Sequence, residues 1–216
     1  MKVALVGATG FVGTAILNEL VQRGHQVTAL ARNTAAIVPN ERIIAKQVDV
    51  LKADQLAVVV KGHDAVISAY NAGWTNPNLY AEFLQGAAAI QEGVKKAGVS
   101  RFLVIGGAGS LYVADGVQAV DTADFPAEWK PGALAARDYL NDLKNEQELD
   151  WTFLSPALEM HQGTSGERKG YYRTGLETPV FNEEGRSVIS VEDVAVAIVD
   201  EVENPQHTGR RFTVAY

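Results

Sequence analysis

The sequence predicts a doubly wound α/β fold built on one parallel sheet, on the strength of three observations. A short apolar run, Val3-Ala4-Leu5-Val6, leads straight into the glycine turn Gly7-Ala8-Thr9-Gly10-Phe11-Val12-Gly13. An apolar-periodic segment, Ala15 to Val21, follows and stops at Gly24. Strand, glycine-rich turn and helix in that order open a dinucleotide-type βαβ unit. Beyond them, β-rich and helical runs alternate as far as Pro156, the pattern of a sheet covered on both faces. The right-handed crossover rule leaves the doubly wound arrangement as the simplest topology.

Gln26 to Ala31 reads as the second strand and ends in Arg32-Asn33, and Ile43 to Val48 reads as the third, closing on Asp49-Val50. Ala53 to Lys61 is a helix stopped by Gly62, and Ala65 to Ala69 is a fourth strand. Asn71 to Asn78 is loop, broken by Gly73 and Asn76-Pro77. A long helix is expected from Leu79 to Ala97, ending at Gly98, with Phe83, Leu84, Ala87, Ala88 and Val94 at helical spacing. Lys95-Lys96 suit its C-terminal dipole.

Phe102 to Ile105 is a fifth strand, followed by Gly106-Gly107-Ala108-Gly109-Ser110, and the stretch to about Lys130 lacks periodicity. Gly132 to about Gln147 reads as a helix carrying Leu134, Tyr139, Leu140 and Leu143 towards the sheet. Trp151 to Leu154 is a sixth strand, broken by Pro156. There the alternation stops. His161 to Gly175 is polar and glycine-rich, a helix runs from Ser190 to about Val202, and Arg211 to Ala215 looks like a last strand. Residues 1–216 are expected to be one domain, with about 157–190 forming a small substrate-side lobe over the carboxyl edge of the sheet.

At 216 residues and 47% hydrophobic, the chain can bury one substantial core. A net charge of −7 argues against a nucleic-acid surface, which needs clustered Lys and Arg. No apolar run is long enough to span a bilayer, and the N-terminal strand is expected to leave no room for a signal peptide. With no cysteine, disulfides, thiolate metal sites and cysteine nucleophiles are excluded. The histidines show no metal-ligand spacing, so no metal is expected. A cytoplasmic protein with a small-molecule partner fits best, and its oligomeric state stays open.

The glycines have separate tasks. Gly7 lets the chain turn sharply out of the strand. Gly10 lets backbone approach a pyrophosphate, where the helix start supplies N–H donors. Gly13 lets the helix lie close to the sheet. An NAD site carries a carboxylate at the end of the second strand for the ribose 2′-hydroxyl, whereas here Ala31-Arg32-Asn33 stands there and no carboxylate follows until Glu41. A guanidinium pairs with a 2′-phosphate, which favours NADP(H) over NAD(H); the alternative for Arg32 is a solvated surface cation. Asp49 is placed to accept from an adenine amino group or simply to make a turn. Ala69 and Tyr70 end the fourth strand, where the pyrophosphate and nicotinamide ribose would pass.

Together these residues resemble the atypical short-chain dehydrogenase/reductase superfamily, and within it the NADH-flavin reductase and biliverdin reductase B group. The likeness rests on Val6 to Gly13, Arg32, Gly62 to Ser68, Leu149 to Ala157 and Ile189 to Ala195. It implies an NADP-binding Rossmann protein in which Ser155-Pro156-Ala157 borders the nicotinamide and Gly106 and Gly107 face the same pocket. The chain departs from that pattern in one respect. Standard members use Tyr-x-x-x-Lys on one helix face, yet no tyrosine here has lysine four residues on; Tyr139 is followed by Leu143 in the lysine position and by Lys144 five away.

Alcohol–ketone chemistry is therefore not expected, whereas flavin reduction needs mainly two rings held at reacting distance, with a solvent proton completing the product. Ser110 and Tyr112 lie where the superfamily's catalytic serine occurs, and His161 follows Pro156 closely enough to be a candidate acid. Each also reads as an ordinary loop residue. Tyr171 and Tyr172 would stack on an aromatic ligand or pack the lobe, and Ser190 with Asp193 reads as a helix N-cap pair. Three functions remain: an NADPH-dependent reductase of a flavin, quinone or similar conjugated acceptor, a non-catalytic NADP-binding redox sensor of the NmrA-like kind, and an epimerase, which the absent tyrosine disfavours.

Overall fold

In the computed structural model, which describes residues 1–216, the alternating runs become ten strands and five α-helices. The N-terminal half is β1 (Lys2–Val6), α1 (Phe11–Gln22), β2 (Gln26–Ala31), β3 (Ile43–Gln47), α2 (Ala53–Val60), β4 (Ala65–Ser68) and α3 (Leu79–Ala97). Next come β5 (Arg101–Ile105), a small hairpin β6 (Tyr112–Ala114) and β7 (Val117–Gln118), α4 (Lys130–Leu143) and β8 (Asp150–Ser155). The chain ends with β9 (Arg173–Gly175), α5 (Val191–Glu203) and β10 (Arg210–Ala215).

Eight strands form one sheet in the order β3-β2-β1-β4-β5-β8-β10-β9, parallel throughout except for β9, which runs antiparallel to β10. This is a doubly wound Rossmann sheet. Its order reverses between β1 and β4, which creates a crevice at the carboxyl ends of those strands. Alternate residues of each strand feed opposite faces. Val3 and Leu5 join Ile16, Leu20, Val194 and Ile198 beneath α1 and α5, while Ala4 and Val6 join Leu56, Phe83, Ile90 and Leu140 beneath α2, α3 and α4. Each fully buried Leu, Ile or Phe contributes about 1.5–3 kcal/mol relative to exposure, so both layers of helices are fastened by the same sheet.

Several elements differ from the sequence reading. Helix α1 starts at Phe11, ahead of the apolar-periodic segment, with Gly10 as its N-cap. Helix α4 ends at Leu143, because Asn145 and Glu146 close turns back to Asp142 and Leu143. Its inward face carries Ala135 and Ala136, and Leu134 is only half-buried. In α3, Ala88 is exposed and Gly86, Ile90 and Gly93 face inward. The stretch without periodicity contains the β6–β7 hairpin, turned at Gly116 with φ +69°, and the polar lobe contributes β9 to the sheet.

The turn after β1 is the tightest point of the fold. Gly7 has φ +79°, and a Cβ there would lie 2.5 Å from the Ala69 carbonyl oxygen. The close approach of Gly13 is to this turn rather than to the strands: its Cβ would lie 2.0 Å from the Gly7 oxygen. At Gly10, with φ −77°, a Cβ would meet only the Gly7 oxygen at 3.4 Å. Gly13→Ala should therefore cost about 1–3 kcal/mol in urea denaturation, as overpacking does. Gly10→Ala should cost less than about 0.5 kcal/mol, and equal losses would refute this division of labour.

Candidate nucleotide and acceptor site

The first helical hydrogen bond of α1 runs from the Thr14 N–H to the Gly10 carbonyl at 2.9 Å. The turn satisfies its earlier donors unevenly. Gly7 and Ala8 N–H groups bond the Leu30 carbonyl and the Gly10 N–H bonds the Gly7 carbonyl, but those of Thr9, Phe11, Val12 and Gly13 reach no acceptor in the chain. Thr9, Gly10 and Phe11 are exposed. Four free donors beside the positive end of a helix dipole suit a diphosphate, and the missing Cβ at Gly10 leaves the backbone uncovered. The residues present fit a dinucleotide.

Next along the carboxyl edge, Arg32 is exposed at the end of β2 and makes no hydrogen bond or ion pair. Asn33 and Asp49 use a side-chain oxygen locally, accepting from Ala35 N–H at 2.9 Å and Leu51 N–H at 3.1 Å, and Val50 is buried. The second oxygen of Asp49 stays open to solvent. The Ala69 N–H bonds the Val6 carbonyl, joining β4 to β1 at the crevice. The Tyr70 ring turns into α3: it stacks on Phe83, its hydroxyl donates to the Glu82 carbonyl at 3.1 Å, and it fills the space where Gly86 would carry a Cβ. Burial pushes the Tyr70 hydroxyl above its ordinary pKa, and the nearby Arg32 charge acts against that.

On the far side of the crevice, Gly106 must be glycine because its Cβ would lie 1.9 Å from the Phe153 ring. Gly107 and Gly109 approach α4 closely, their Cβ positions 3.5 Å from Ala136 and 2.8 Å from Ala133. The α4 face that meets this loop is therefore alanine. Tyr139, one turn beyond Ala136, is buried against Phe83 and donates to Gln91 of α3 at 3.1 Å, and burial drives its hydroxyl pKa well up. Leu143, four residues beyond Tyr139, is fully buried on α4 as well. Ser155, Pro156 and Ala157 are all buried at the end of β8.

The three catalytic candidates are placed differently. Ser110 is buried and its Oγ accepts from Arg211 at 2.8 Å. Tyr112 lies in β6, its N–H bonded to the Glu177 carbonyl. His161 caps a 3₁₀ turn in an exposed loop, its Nδ1 accepting from Gly163 N–H at 3.0 Å. Ser110 and Tyr112 are linked through Arg211 and Glu177, and His161 shares no partner with them. Tyr172 donates to Asp200 at 2.6 Å, and Tyr171 packs near Tyr216, so both tie the lobe to α5 and the C-terminus. Ser190 caps α5 by accepting from the Asp193 N–H at 3.2 Å.

Sequence reasoning missed how the lobe is fastened. The buried carboxylate of Glu19 in α1 takes two hydrogen bonds from Arg168, each 2.8 Å, and one from Arg23 at 2.7 Å. Asp193, fully buried, accepts from the Lys169 and Gly170 N–H groups, and Glu192 accepts from the Gly166 N–H. A strap of residues 166–170 is thereby tied across α5 and α1, bordering a groove of about 430 Å³ that shares Phe11 with the glycine turn. The sequence signal for Glu19 was a charge on the inward face of an amphipathic helix.

With this geometry in view, the sequence profile of the NAD(P)H-binding family matches residues 7–205. The chain belongs to that family. A candidate epimerase from Bacteroides thetaiotaomicron is 46% identical with a TM-score of 0.91, covering 100% of this chain and 96% of that one. A candidate NADH-flavin reductase from Streptococcus pneumoniae is 37% identical, with a TM-score of 0.87 and 100% and 99% coverage. A candidate exported protein from Burkholderia pseudomallei is 43% identical, with a TM-score of 0.87 and full coverage of both chains. The protein is thus an NAD(P)H-binding Rossmann chain of oxidoreductase-like fold, with no helix long and apolar enough to cross a membrane.

The strap yields a pH-dependent expectation. The Arg168 hydrogen bonds hold the Glu19 carboxyl below its usual pKa of 4.5. A lowered folded-state value means that the stabilisation is complete above the unfolded value and is lost as pH falls through the lowered one. Arg168→Met should lower Tm at pH 7 by about 2–4 °C, the shift that about 1 kcal/mol produces at this size. The gap from the native protein should close below about pH 4. A gap independent of pH would show that Arg168 acts through packing alone.

Proposed function

We propose that this protein is an NADPH-dependent reductase that passes hydride to a flavin, quinone or similar conjugated acceptor. What supports the reading is α4, which packs Ala133 and Ala136 on the Gly107–Gly109 loop beyond β5 and carries no Tyr-x-x-x-Lys pair for alcohol–ketone chemistry. In this reading the nicotinamide, when bound, supplies the hydride. The chain's part is to bind, orient and exclude water, a proximity effect worth several orders of magnitude.

The free N–H groups of Thr9, Phe11, Val12 and Gly13 would hold the pyrophosphate, with Gly7 and Gly10 shaping the approach. Arg32, lacking a carboxylate partner, would pair with the 2′-phosphate and favour NADP(H) over NAD(H). Asn33, Asp49 and Val50 would border the adenine. Ala69 and the Tyr70 backbone would line the path to the nicotinamide, which Gly106, Gly107, Ser155, Pro156 and Ala157 would enclose. The likeness to a candidate NADH-flavin reductase supports a flavin as acceptor. The absence of a Tyr-x-x-x-Lys pair also suits a redox sensor that binds NADP without turnover. A cytoplasmic setting belongs to this proposal, and the candidate exported relative makes location worth measuring.

Two measurements separate the readings. Anaerobic mixing with NADPH and FMN should bleach the flavin only when protein is present, and Gly10→Val should abolish the effect. NADPH binding without bleaching of FMN, riboflavin or a quinone would favour the sensor. Arg32→Ala should weaken NADPH at least about tenfold, the loss of about 1.4 kcal/mol, and alter NADH less than about twofold. Equal losses for the two nucleotides would sink the 2′-phosphate assignment.

A further inference from the structure

Four buried side-chain polar atoms of the chain have no hydrogen-bond partner: Arg101 Nε, Ser155 Oγ, Arg211 Nε and Thr213 Oγ1. Three of them lie together. Ser155 and Thr213 are register partners on β8 and β10, and Arg211 pairs in register with Phe153 two residues below. Paired residues and their i±2 neighbours share one face of a sheet, so the two hydroxyls and the guanidinium lie on the side of Phe153 and α4. Arg211 is the largest fully buried side chain. Its Nη1 donates to Ser110 Oγ at 2.8 Å and its Nη2 to the Glu177 carboxylate.

Native folds leave few buried polar groups unsatisfied, so a cluster that keeps one guanidinium N–H and two hydroxyls in reserve has recognition capacity that its own chain does not use. Its counter-ion is carried differently from the rest. Glu177 lies on a surface segment of the lobe, 47% exposed at its side chain, whereas Arg211 is 1% exposed. The only charge that compensates the buried cation therefore arrives from solvent, on a segment whose Glu177 carbonyl is held by the Tyr112 N–H. Ser110 closes the loop that begins at Gly106, and Ser155 precedes Pro156-Ala157, so the cluster adjoins both walls of the crevice's far side.

We propose that Arg211, Ser110, Ser155 and Thr213 form an anion-binding subsite for a carboxylate-bearing conjugated acceptor, and that Glu177 takes the Arg211 Nη2 donor of that subsite in the free protein. Naming the ligand an acceptor rests on the reductase reading; the anion site itself does not. Arg211 supplies a planar fork matched to a carboxylate, and the two hydroxyls supply the remaining donors. Glu177 acts as a self-ligand that an incoming carboxylate displaces towards solvent, so binding carries a competition that a neutral molecule of the same shape does not engage.

The test is calorimetric titration of the full chain with benzoate and with its neutral counterpart benzamide. Glu177→Gln should bind benzoate at least tenfold more tightly than the native protein, with benzamide unchanged. Adding Ser155→Ala and Thr213→Ala should reduce that gain at least fivefold. Equal benzoate affinity with and without Glu177, an equal gain for benzamide, or a gain untouched by loss of the hydroxyls would each overturn the proposal. Should Glu177→Gln not fold, Glu177→Asp withdraws the carboxylate by one methylene and is read the same way. No turnover is involved, so failure here leaves hydride transfer standing, and a failed bleaching experiment leaves this site standing.

Discussion

The structure depends on one steric constraint, the mutual approach of two backbone segments at the turn between β1 and α1. A side chain on Gly13 would strike the Gly7 carbonyl, and one on Gly7 would strike the carbonyl of Ala69 at the end of β4. This packing brings the helix start directly over the switch point of the sheet. The Phe11, Val12 and Gly13 N–H groups at that helix start have no acceptor in the chain. A helix always begins with unsatisfied donors; here the crowded turn sets them beside the crevice where β1 and β4 diverge.

The lobe is held by charge placed where apolar residues would ordinarily sit. Glu19 occupies an inward position of α1, Asp193 is fully buried in the first turn of α5, and Arg211 is buried in β10. The first two bind the strap, and the third reaches both the loop after β5 and the segment after β9. Burial of such groups is tolerated only when they are paired. The carboxyl-edge segments are thus tied to the core by these polar contacts as well as by the packing of Ala157, Met160, Tyr172, Val180 and Ile189.

Much of the fold was legible because periods of 2 and 3.6 residues persist over full elements. β2 and α3 were read with their observed ends, and Gly98 terminates α3 in the left-handed conformation, as a helix-ending glycine does. The hairpin β6–β7 and β9 were missed because elements of two or three residues carry no readable period. Leu134 was favoured over Ala135 and Ala136 because side-chain size suggests burial; yet α4 packs on the Gly107–Gly109 loop through Ala133 and Ala136. The glycine turn was visible as a motif, and the reason for Gly13 emerged only from its distance to Gly7. Arg211 and Glu177 could not be matched from sequence, since nothing local links residues 34 apart on different elements.

The central claim is that the turn before α1 is where the nucleotide's phosphates are held. Amide NMR on the uniformly ¹⁵N-labelled protein tests it most directly. During titration with NADPH, the Thr9, Phe11, Val12 and Gly13 N–H signals should move together along one saturable curve, while the Gly166 to Gly170 amides of the strap stay nearly fixed. Saturable shifts confined to the strap and the groove along α1, with those four amides unmoved, would contradict the account.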